Sequence, residues 1–334
     1  MTSYTGDPEE LRGRIDAALG TFIAERRVEL AEAGDLLDEI ERVVAAGGKR
    51  LRPTFCYWGY RAAGGEEDPR IVRAAITFEL LHTFALVHDD IMDSSAERRG
   101  EPTSFAQLGL ERALLVGDLA LVLADSALLR SGFDAEVVNR AYGSYAAMQQ
   151  QVIAGQYLDV AAFEGIDTST ARRIAWLKSG SYSIEGPLVV GALLAGANDE
   201  LGATLRRVGG SAGEAFQLRD DVLGLFGDPA TTGKSIEADI RDGKKNILYA
   251  MTVERVPATE RDRFVARWGA EGLETDEIES LRALVESSGA RAATEELIRE
   301  LTSNAIAELD RAPIADEARG ALSELIGATV DRVA

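Results

Sequence analysis

Helical periodicity is the feature that most constrains how this chain can fold. Apolar residues recur every three or four positions along most of it, and alternating strand patterns are scarce. Short Gly- and Pro-containing breaks separate the periodic runs, and no long linker or fixed-period repeat is present. The sequence therefore predicts one all-α domain over residues 1–334, of roughly ten or more helices, with several apolar helices at its centre. The clearest runs are LVLADSALL (121–129), RAYGSYAAMQQQVIAGQYLDVAAF (140–163) and RRVGGSAGEAFQLRDDVLGLF (206–226).

Composition narrows the function classes. The 334 residues are 46% apolar, enough for a sizeable core, and the net charge of −20 excludes a generic basic surface for nucleic acid or anionic lipid. Cys56 is the only cysteine, and the first residues lack the apolar core of a signal peptide, so we expect a cytoplasmic protein. The longest apolar run, PLVVGALLAGA (187–197), is about half of a membrane span, which predicts no transmembrane segment.

A first acidic cluster ends the apolar run PRIVRAAITFELLHTFALVHDDIMD (69–93), which reads as one helix. Spacings of three and four residues let Asp89, Asp90 and Asp93 converge on one patch. The helix macrodipole is negative at this end, so a cation should compensate, and Mg²⁺ prefers carboxylate and phosphate oxygens. Arg98 and Arg99 follow and can each bind a phosphate bidentately. The alternative is a solvated helix end whose acids pair with these arginines.

A second acidic cluster lies in FQLRDDVLGLFGDPATTGKSIEADIRDGKKN (216–246), again after an apolar helical run. Its acidic pair is Asp220 and Asp221, with Gln217 one turn earlier. A polar loop with Lys234, Lys244 and Lys245 follows. Two acidic helix ends, each followed by cations, suggest one cavity with metals between them, whereas the lysine loop alone would be typical of a solvated turn.

A basic patch, GGKRLRP (47–53), precedes both clusters. Pro53 predicts the first turn of a helix, so Lys49, Arg50 and Arg52 crowd a positive helix start that an anion would relieve. Exposed charges without a ligand are the alternative. A carboxylate and a phosphate oxygen about 4 Å apart repel by roughly 4 kcal/mol at an effective dielectric near 20. The acidic clusters therefore predict strictly Mg²⁺-dependent binding of one phosphate group, and the basic patch predicts direct binding of another.

In this order, the motifs resemble those of the trans-isoprenyl diphosphate synthases, or polyprenyl synthetases. The resemblance runs from GGKRLRP to DGKKN, within a motif-bearing core of about 35–250 that helices at about 257–334 follow. It implies an all-α isoprenoid-synthase bundle with a deep central cavity, assembled as a homodimer. It also implies head-to-tail condensation of an allylic diphosphate with isopentenyl diphosphate, using Mg²⁺, with three ions expected per active site.

The resemblance further implies a role for each matching residue. The two aspartate motifs would hold Mg²⁺ around the allylic diphosphate, through Asp89, Asp90, Asp93, Asp220 and Asp221. Further contacts to that diphosphate would come from Arg98, Lys178, Lys234 and Lys244. Isopentenyl diphosphate would be bound by Lys49, Arg52, His82 and Arg99, and the reacting centre would be lined by Ser179 and Gln217. One departure stands out, because Gly224 occupies the position of the usual third aspartate of the second motif.

Product length in this family is limited by a wall about one turn before the first motif. Phe84 and Ala85 hold those positions, roughly 6 to 8 Å from Asp89 along the helix axis. One bulky and one small residue predict a medium cavity and a C20 product, geranylgeranyl diphosphate. The alternatives are a C15 product, farnesyl diphosphate, and a Phe84 that simply fills the core.

Other function classes share some of these features. A terpene cyclase has the same fold but no second diphosphate to bind, and the basic patch argues against it. A metal phosphohydrolase would match His88-Asp89, but two histidines are too few for its usual metal cage. A non-catalytic subunit usually lacks an aspartate motif, and Gly224 is the only sign of such a loss.

Overall fold

The computed structural model describes residues 8–161, 165–227 and 236–331, and in these ranges the chain is almost entirely helical. One two-residue hairpin, β1 (Glu97–Arg98) with β2 (Glu101–Pro102), is the only sheet there. The all-α prediction is confirmed. The α-helices are α1 (Pro8–Glu29), α2 (Gly34–Ala45), α3 (Leu51–Ala62), α4 (Pro69–Ala75), α5 (Thr77–Met92), α6 (Ser104–Leu108), α7 (Leu110–Leu129), α8 (Ala135–Val160), α9 (Thr168–Ala175), α10 (Gly186–Leu194), α11 (Asp199–Phe226), α12 (Ala238–Arg241), α13 (Ile247–Arg255), α14 (Ala258–Arg267), α15 (Thr275–Ser287), α16 (Ala290–Arg311) and α17 (Asp316–Val330), with a 3₁₀ turn at Ala31–Ala33 and a π-helix at Trp176–Glu185.

Side-chain caps begin several of the helices where the sequence places Asp, Asn or Thr. Asp68 accepts a hydrogen bond from the Arg70 N–H at the start of α4, and Asp167 accepts one from the Thr170 N–H at the start of α9. Each cap satisfies a backbone donor that the first turn would otherwise leave unpaired. Such caps tie the helix boundaries to the local sequence.

The chain forms two compact units, each described here by itself. The first comprises the described residues within Met1–Ala147, Ser183–Arg206 and Arg311–Leu325. In this unit α3 and α10 touch backbone to backbone, because a Cβ on Gly59 would lie 2.1 Å from the Leu188 carbonyl oxygen. A Cβ on Gly191 would lie 1.9 Å from the Cys56 carbonyl oxygen. Only glycine permits this close contact between α3 and α10.

The second unit comprises the described residues within Met148–Tyr182, Arg207–Asp310 and Ile326–Ala334. Its core is one apolar cluster that runs from Ile166 to Val330. Three aromatic rings pack inside it: Tyr249 lies 5.6 Å from Phe264 and 5.5 Å from Trp268, measured between ring centroids. This core supports α11, which carries the second aspartate motif.

The apolar run before the first motif is not one regular helix. It is divided at Ile76, between α4 and α5, so the single helix expected over 69–93 is interrupted near its start. Taken together, Pro69–Met92 is long and apolar enough to cross a membrane by length and composition, with 72% of its apolar window buried inside the structure. Burial of this extent is typical of a core helix.

Candidate active site

The first aspartate motif closes α5. Asp89 and Asp90 lie in its last turn, and Asp93 is the C-cap residue, whose N–H donates to the Asp89 carbonyl at 2.8 Å. Asp90 is 5% exposed. Arg98 Nε donates to Asp90 Oδ1 at 2.8 Å, and its Nη2 lies 3.4 Å from Asp89 Oδ2. Two of the three carboxylates therefore reach the same guanidinium, which compensates part of their charge.

A tight hairpin brings Arg98 back to α5. Its two turn residues, Arg99 and Gly100, both have left-handed backbone conformations, with φ of 56° and 77°. This is the pattern of a two-residue I′ turn, which reverses the chain without splaying the strands. Thr103 then donates its hydroxyl to the Ser95 carbonyl at 2.7 Å. The Gly- and Pro-containing segment 100–102 thus helps to form the turn that brings the Arg98 guanidinium back to Asp89 and Asp90.

The second arginine of the hairpin points to the loop before α3. Arg99 Nη1 donates to the Gly47 carbonyl at 2.7 Å. That carbonyl is available because Gly47 has a φ of 87°, in the left-handed region that favours glycine. Lys49 is exposed in the same loop. The basic patch and the hairpin are therefore adjacent in the first unit.

Arg50, the middle cation of that patch, faces the protein interior. It is 6% exposed, and its guanidinium donates to Asp16 Oδ1 and to Glu79 Oε2, each at 2.7 Å. A third bond, at 2.8 Å, goes to the Val44 carbonyl. The crowding of three cations expected from the sequence is thus reduced to Lys49 and Arg52, because the buried Glu79 and the more exposed Asp16 neutralise Arg50.

The remaining cations surround His82. Arg52 Nη2 donates to Ser183 Oγ at 2.9 Å, which fixes the guanidinium. Burial, and then the charges of Arg52, Arg98 and Arg99, hold the pKa of His82 well below the ordinary histidine value. Burial and the charge of Arg98 also lower the pKa of Arg99. The charges of Arg52, Arg98 and Arg99 at His82, and the lowered pKa of Arg99, indicate a region of positive potential, which favours an anion.

The predicted chain-length residues precede the motif on the same helix. Phe84 and Ala85 are both partly buried. The Phe84 ring meets the His88 ring edge to face, with centroids 4.8 Å apart and planes at 65°. His88 therefore lies between Phe84 and the aspartates along α5.

The second aspartate motif lies inside a helix. α11 continues to Phe226, so Asp220 and Asp221 lie within its last two turns. The sequence analysis had placed this acidic pair at a helix end. Asp221 is 8% exposed and accepts a hydrogen bond from Gln217 Nε2 at 2.8 Å. Gln217 thus contacts the motif one turn away, as its spacing predicts.

A carboxylate from another element takes the space beside Gly224. A Cβ at this position would lie 2.4 Å from Oδ2 of Asp239, which is on α12. Burial raises the pKa of Asp221 to about 7, and the nearby charges of Asp239, Asp220 and Asp159 raise it too. Four carboxylates thus share this region of the second unit, although the sequence motif supplies only two.

Lys178, a predicted contact to the allylic diphosphate, is paired with a carboxylate. Lys178 Nζ donates to Asp159 Oδ2 at 2.5 Å. Lys178 and Ser179 lie in the π-helix, where such distortions often mark functional sites, and Ser179 is partly buried. Lys234 lies outside the described residues, whereas the Lys244 backbone is fixed by bonds with Asp239 and with the Trp268 indole.

Two acidic residues of this region, Asp159 and Asp239, escaped the sequence analysis. Asp159 is a lone charge at the end of an apolar helical run, which is a usable signal. Asp239 lies in EADIRDG among other charges, and nothing local distinguishes it. Its position became apparent only because Gly224 leaves room for it.

Residues 35–285 match the polyprenyl synthetase family model. The geranylfarnesyl diphosphate synthase of Aeropyrum pernix is 35% identical over 298 residues, covering 87% of this chain and 92% of the relative. The geranylgeranyl diphosphate synthase of Saccharolobus solfataricus is 31% identical, covering 86% and 87%.

A solved structure agrees in fold over the whole chain. It is the geranylgeranyl pyrophosphate synthase of Corynebacterium glutamicum complexed with isoprenyl diphosphate and magnesium, at a TM-score of 0.91 and 32% identity. The match covers 98% of this chain and 100% of the other. The chain therefore belongs to the polyprenyl synthetase family, and it is a prenyltransferase of the short-chain isoprenyl diphosphate synthase kind.

Proposed function

We propose that this enzyme catalyses the Mg²⁺-dependent head-to-tail condensation of isopentenyl diphosphate with an allylic diphosphate, and that its main product is geranylgeranyl diphosphate (C20). The observation that carries the proposal is the separation of charge in the first unit. Carboxylates at the end of α5 suit a metal-bound diphosphate, whereas the arginines around neutral His82 suit a diphosphate bound directly. An enzyme with one diphosphate substrate, such as a terpene cyclase, needs only the metal-binding carboxylates and not the second, arginine-lined site.

The acidic residues fit Mg²⁺ as a shared ligand with phosphate. Among the described residues, no three His, Cys, Asp or Glu side chains already form an arrangement that could hold a metal ion. Mg²⁺ usually keeps several waters and binds through one or two carboxylates plus substrate phosphates, so it does not need three protein ligands in one cluster. The accumulated negative charge that raises the Asp221 pKa also favours a cation. The ions, three by the resemblance, would supply charge neutralisation to the departing diphosphate.

The proposed ligands follow the residues that match the family motifs. The allylic diphosphate and its metals are assigned to Asp89, Asp90, Asp93, Arg98, Lys178, Asp220, Asp221, Lys234 and Lys244. Isopentenyl diphosphate is assigned to Lys49, Arg52, His82 and Arg99, and the reacting carbons to Ser179 and Gln217. Arg50 is left out, because its bonds to Asp16 and Glu79 make it structural.

The chain's own residues contribute chiefly charge and position to the mechanism. Arg98 and the lysines stabilise the diphosphate as its bond to the allylic carbon breaks. The isopentenyl double bond then attacks the allylic cation, and a proton leaves the resulting carbon skeleton. His82 is a poor base with its lowered pKa, so we assign that proton to the departed diphosphate.

Product length would be limited where the growing chain meets Phe84. Replacing Phe84 by Ala should remove this floor and lengthen the main product by at least one five-carbon unit. Phe22→Ala, the same truncation of a partly buried phenylalanine on α1, is the control. The mass of the products identifies their length, and an unchanged length in the Phe84→Ala variant would remove Phe84 as the floor.

The activity itself is tested with purified protein, Mg²⁺, isopentenyl diphosphate and, separately, C5, C10 and C15 allylic diphosphates. We expect elongation to C20 that EDTA abolishes. Hydrocarbon released without isopentenyl diphosphate would instead identify a terpene cyclase. Binding of both diphosphates without turnover would identify a non-catalytic subunit.

We also propose that the enzyme is a homodimer. An exposed apolar stripe on α7, formed by Leu115, Val122 and Leu129 at intervals of seven residues, supports this proposal, because these side chains are 53%, 62% and 53% exposed. A second copy of the chain has the same stripe and can cover it.

Three further proposals concern the chain as a whole. We propose that it forms one polyprenyl synthetase domain, that it is located in the cytoplasm, and that it has no transmembrane segment. The 72% burial of the apolar window in Pro69–Met92 supports the last of these. A single cooperative unfolding transition and recovery in the supernatant after ultracentrifugation would test them.

A further inference from the structure

The side chain of His88 lies directly on the backbone of α7. A Cβ added at Gly117 would be 2.2 Å from His88 Cδ2 and 2.3 Å from Nε2, so the ring occupies the space that any larger residue would fill. Nε2 lies 3.3 Å from the Leu114 carbonyl oxygen and 3.7 Å from Asp118 Oδ1. The His88 side chain is 16% exposed. The Cδ2–Nε2 edge of the imidazole thus lies against Gly117 and beside polar atoms of α7.

Phe84 packs against the same imidazole. The two rings are one helical turn apart on α5 and pack edge to face at 4.8 Å. Side chains on a helix lean toward its N-terminus, so His88 leans over the turn that carries Phe84. A Phe on a helix has few allowed χ1 rotamers, and a neighbouring ring at this distance selects among them.

From this stack we infer that His88 is a positioning residue for product length, and that Gly117 acts through it by setting how deeply the imidazole sits against α7. The inference rests on the proposed function, in which Phe84 ends the growing chain. Without the His88 ring, Phe84 can turn into the vacated space, and the floor then recedes from Asp89.

Three substitutions at His88 separate its ring from its polar edge. His88→Ala removes both, His88→Gln keeps a donor near the Leu114 carbonyl but removes the ring, and His88→Phe keeps a ring but removes the donor. We expect His88→Ala and His88→Gln to raise the fraction of products longer than the wild-type product at least threefold. His88→Phe should retain the wild-type distribution. If His88 had a purely structural role, replacing it would lower stability or turnover without changing the product distribution.

Gly117→Ala tests the other end of the stack. Its methyl group collides with the imidazole edge, so the ring and Phe84 must shift and the product distribution must change. Gly143→Ala on α8, where nothing lies within 4 Å of an added Cβ, is the matched control and should give the wild-type distribution. If Gly117 acts only through His88, Gly117→Ala should add no further change in the His88→Ala background.

All variants are compared by product mass at equal turnover, with circular dichroism to verify folding. A wild-type product distribution for His88→Ala, or equal shifts for His88→Ala and His88→Phe, would overturn the inference. Lengthening by Phe84→Ala without lengthening by His88→Ala would overturn it too, while the proposed function stands. Absence of prenyl product from the wild-type enzyme itself would instead reject the proposed function.

Discussion

At the scale of single residues, burial decides which charged groups serve the site and which serve the fold. Arg50 has two carboxylate partners and is enclosed, so its charge is satisfied inside the protein. A buried ion pair of this kind is costly to break, because the remaining charge has no partner. Asp221 is in the opposite situation, since the charges nearest to it are mostly of its own sign.

The raised pKa of Asp221 predicts a specific dependence of stability on pH. Without metal, the folded protein keeps a proton on Asp221 up to about pH 7, whereas the unfolded chain releases it near the ordinary value of 3.8. The contribution of Asp221 to the free energy of unfolding therefore falls as pH rises from about 4 to 7, by an amount on the order of 4 kcal/mol. Asp221→Asn should remove this loss. Chemical denaturation in EDTA should thus show the variant gaining stability relative to wild type between pH 5 and pH 8, and a constant difference would contradict the prediction.

At the scale of secondary-structure elements, glycines set how closely the site helices approach. A Cβ on Gly155 of α8 would lie 2.3 Å from the Lys178 backbone nitrogen, and one on Gly180 would lie 2.8 Å from the Gly213 carbonyl carbon on α11. The π-helix is therefore held tightly between α8 and α11 within the second unit. This packing places Lys178 beside Asp159.

Gly155→Ala should disturb this packing and the lysine together. The added methyl meets backbone atoms, which cannot move aside as a side chain could, so we expect a loss of about 1 to 3 kcal/mol in the free energy of unfolding. We also expect weaker binding of the allylic diphosphate, because Lys178 shifts. Gly143→Ala, on the same helix and free of contacts, should be neutral or stabilise by up to about 1 kcal/mol. Denaturant unfolding and calorimetric binding measure both effects, and equal behaviour of the two variants would reject this role for Gly155.

At the scale of the whole molecule, charge and the α7 stripe act on assembly in opposite directions. A net charge of −20 favours separate, soluble chains. The stripe of Leu115, Val122 and Leu129 favours association, because its burial removes apolar surface from water. A specific dimer satisfies both, since it covers the stripe and leaves the acidic surface exposed.

Val122→Asp should therefore dissociate the proposed dimer. Light scattering after gel filtration should change from about twice the chain mass of 35.8 kDa to the monomer mass. Val28→Asp on α1, where the valine is 83% exposed outside the stripe, should leave the mass unchanged. A monomeric wild-type protein, or a dimer that survives Val122→Asp, would contradict the proposed interface.

The sequence by itself determined the helical architecture, the two aspartate motifs and the family, because periodicity and motif spacing are properties of neighbouring residues. The substrate-binding roles of His82 and Lys178 stay predictions, supported by the arginines that lower the His82 pKa and by the bond from Lys178 to Asp159. The break at Ile76 was not predicted, since helix boundaries depend on packing as well as on local preference.

Only the tertiary structure decided which residues distant in the chain share a site. It turned Arg50 inward to Glu79, placed Asp239 beside Gly224 and Asp159 beside Lys178, and seated His88 on Gly117. Each contact joins segments separated by roughly 15 to 30 residues, and neither partner differs locally from many residues that make no such contact. Their energies arise from burial and from the fields of neighbouring charges, which exist only once the helices have packed.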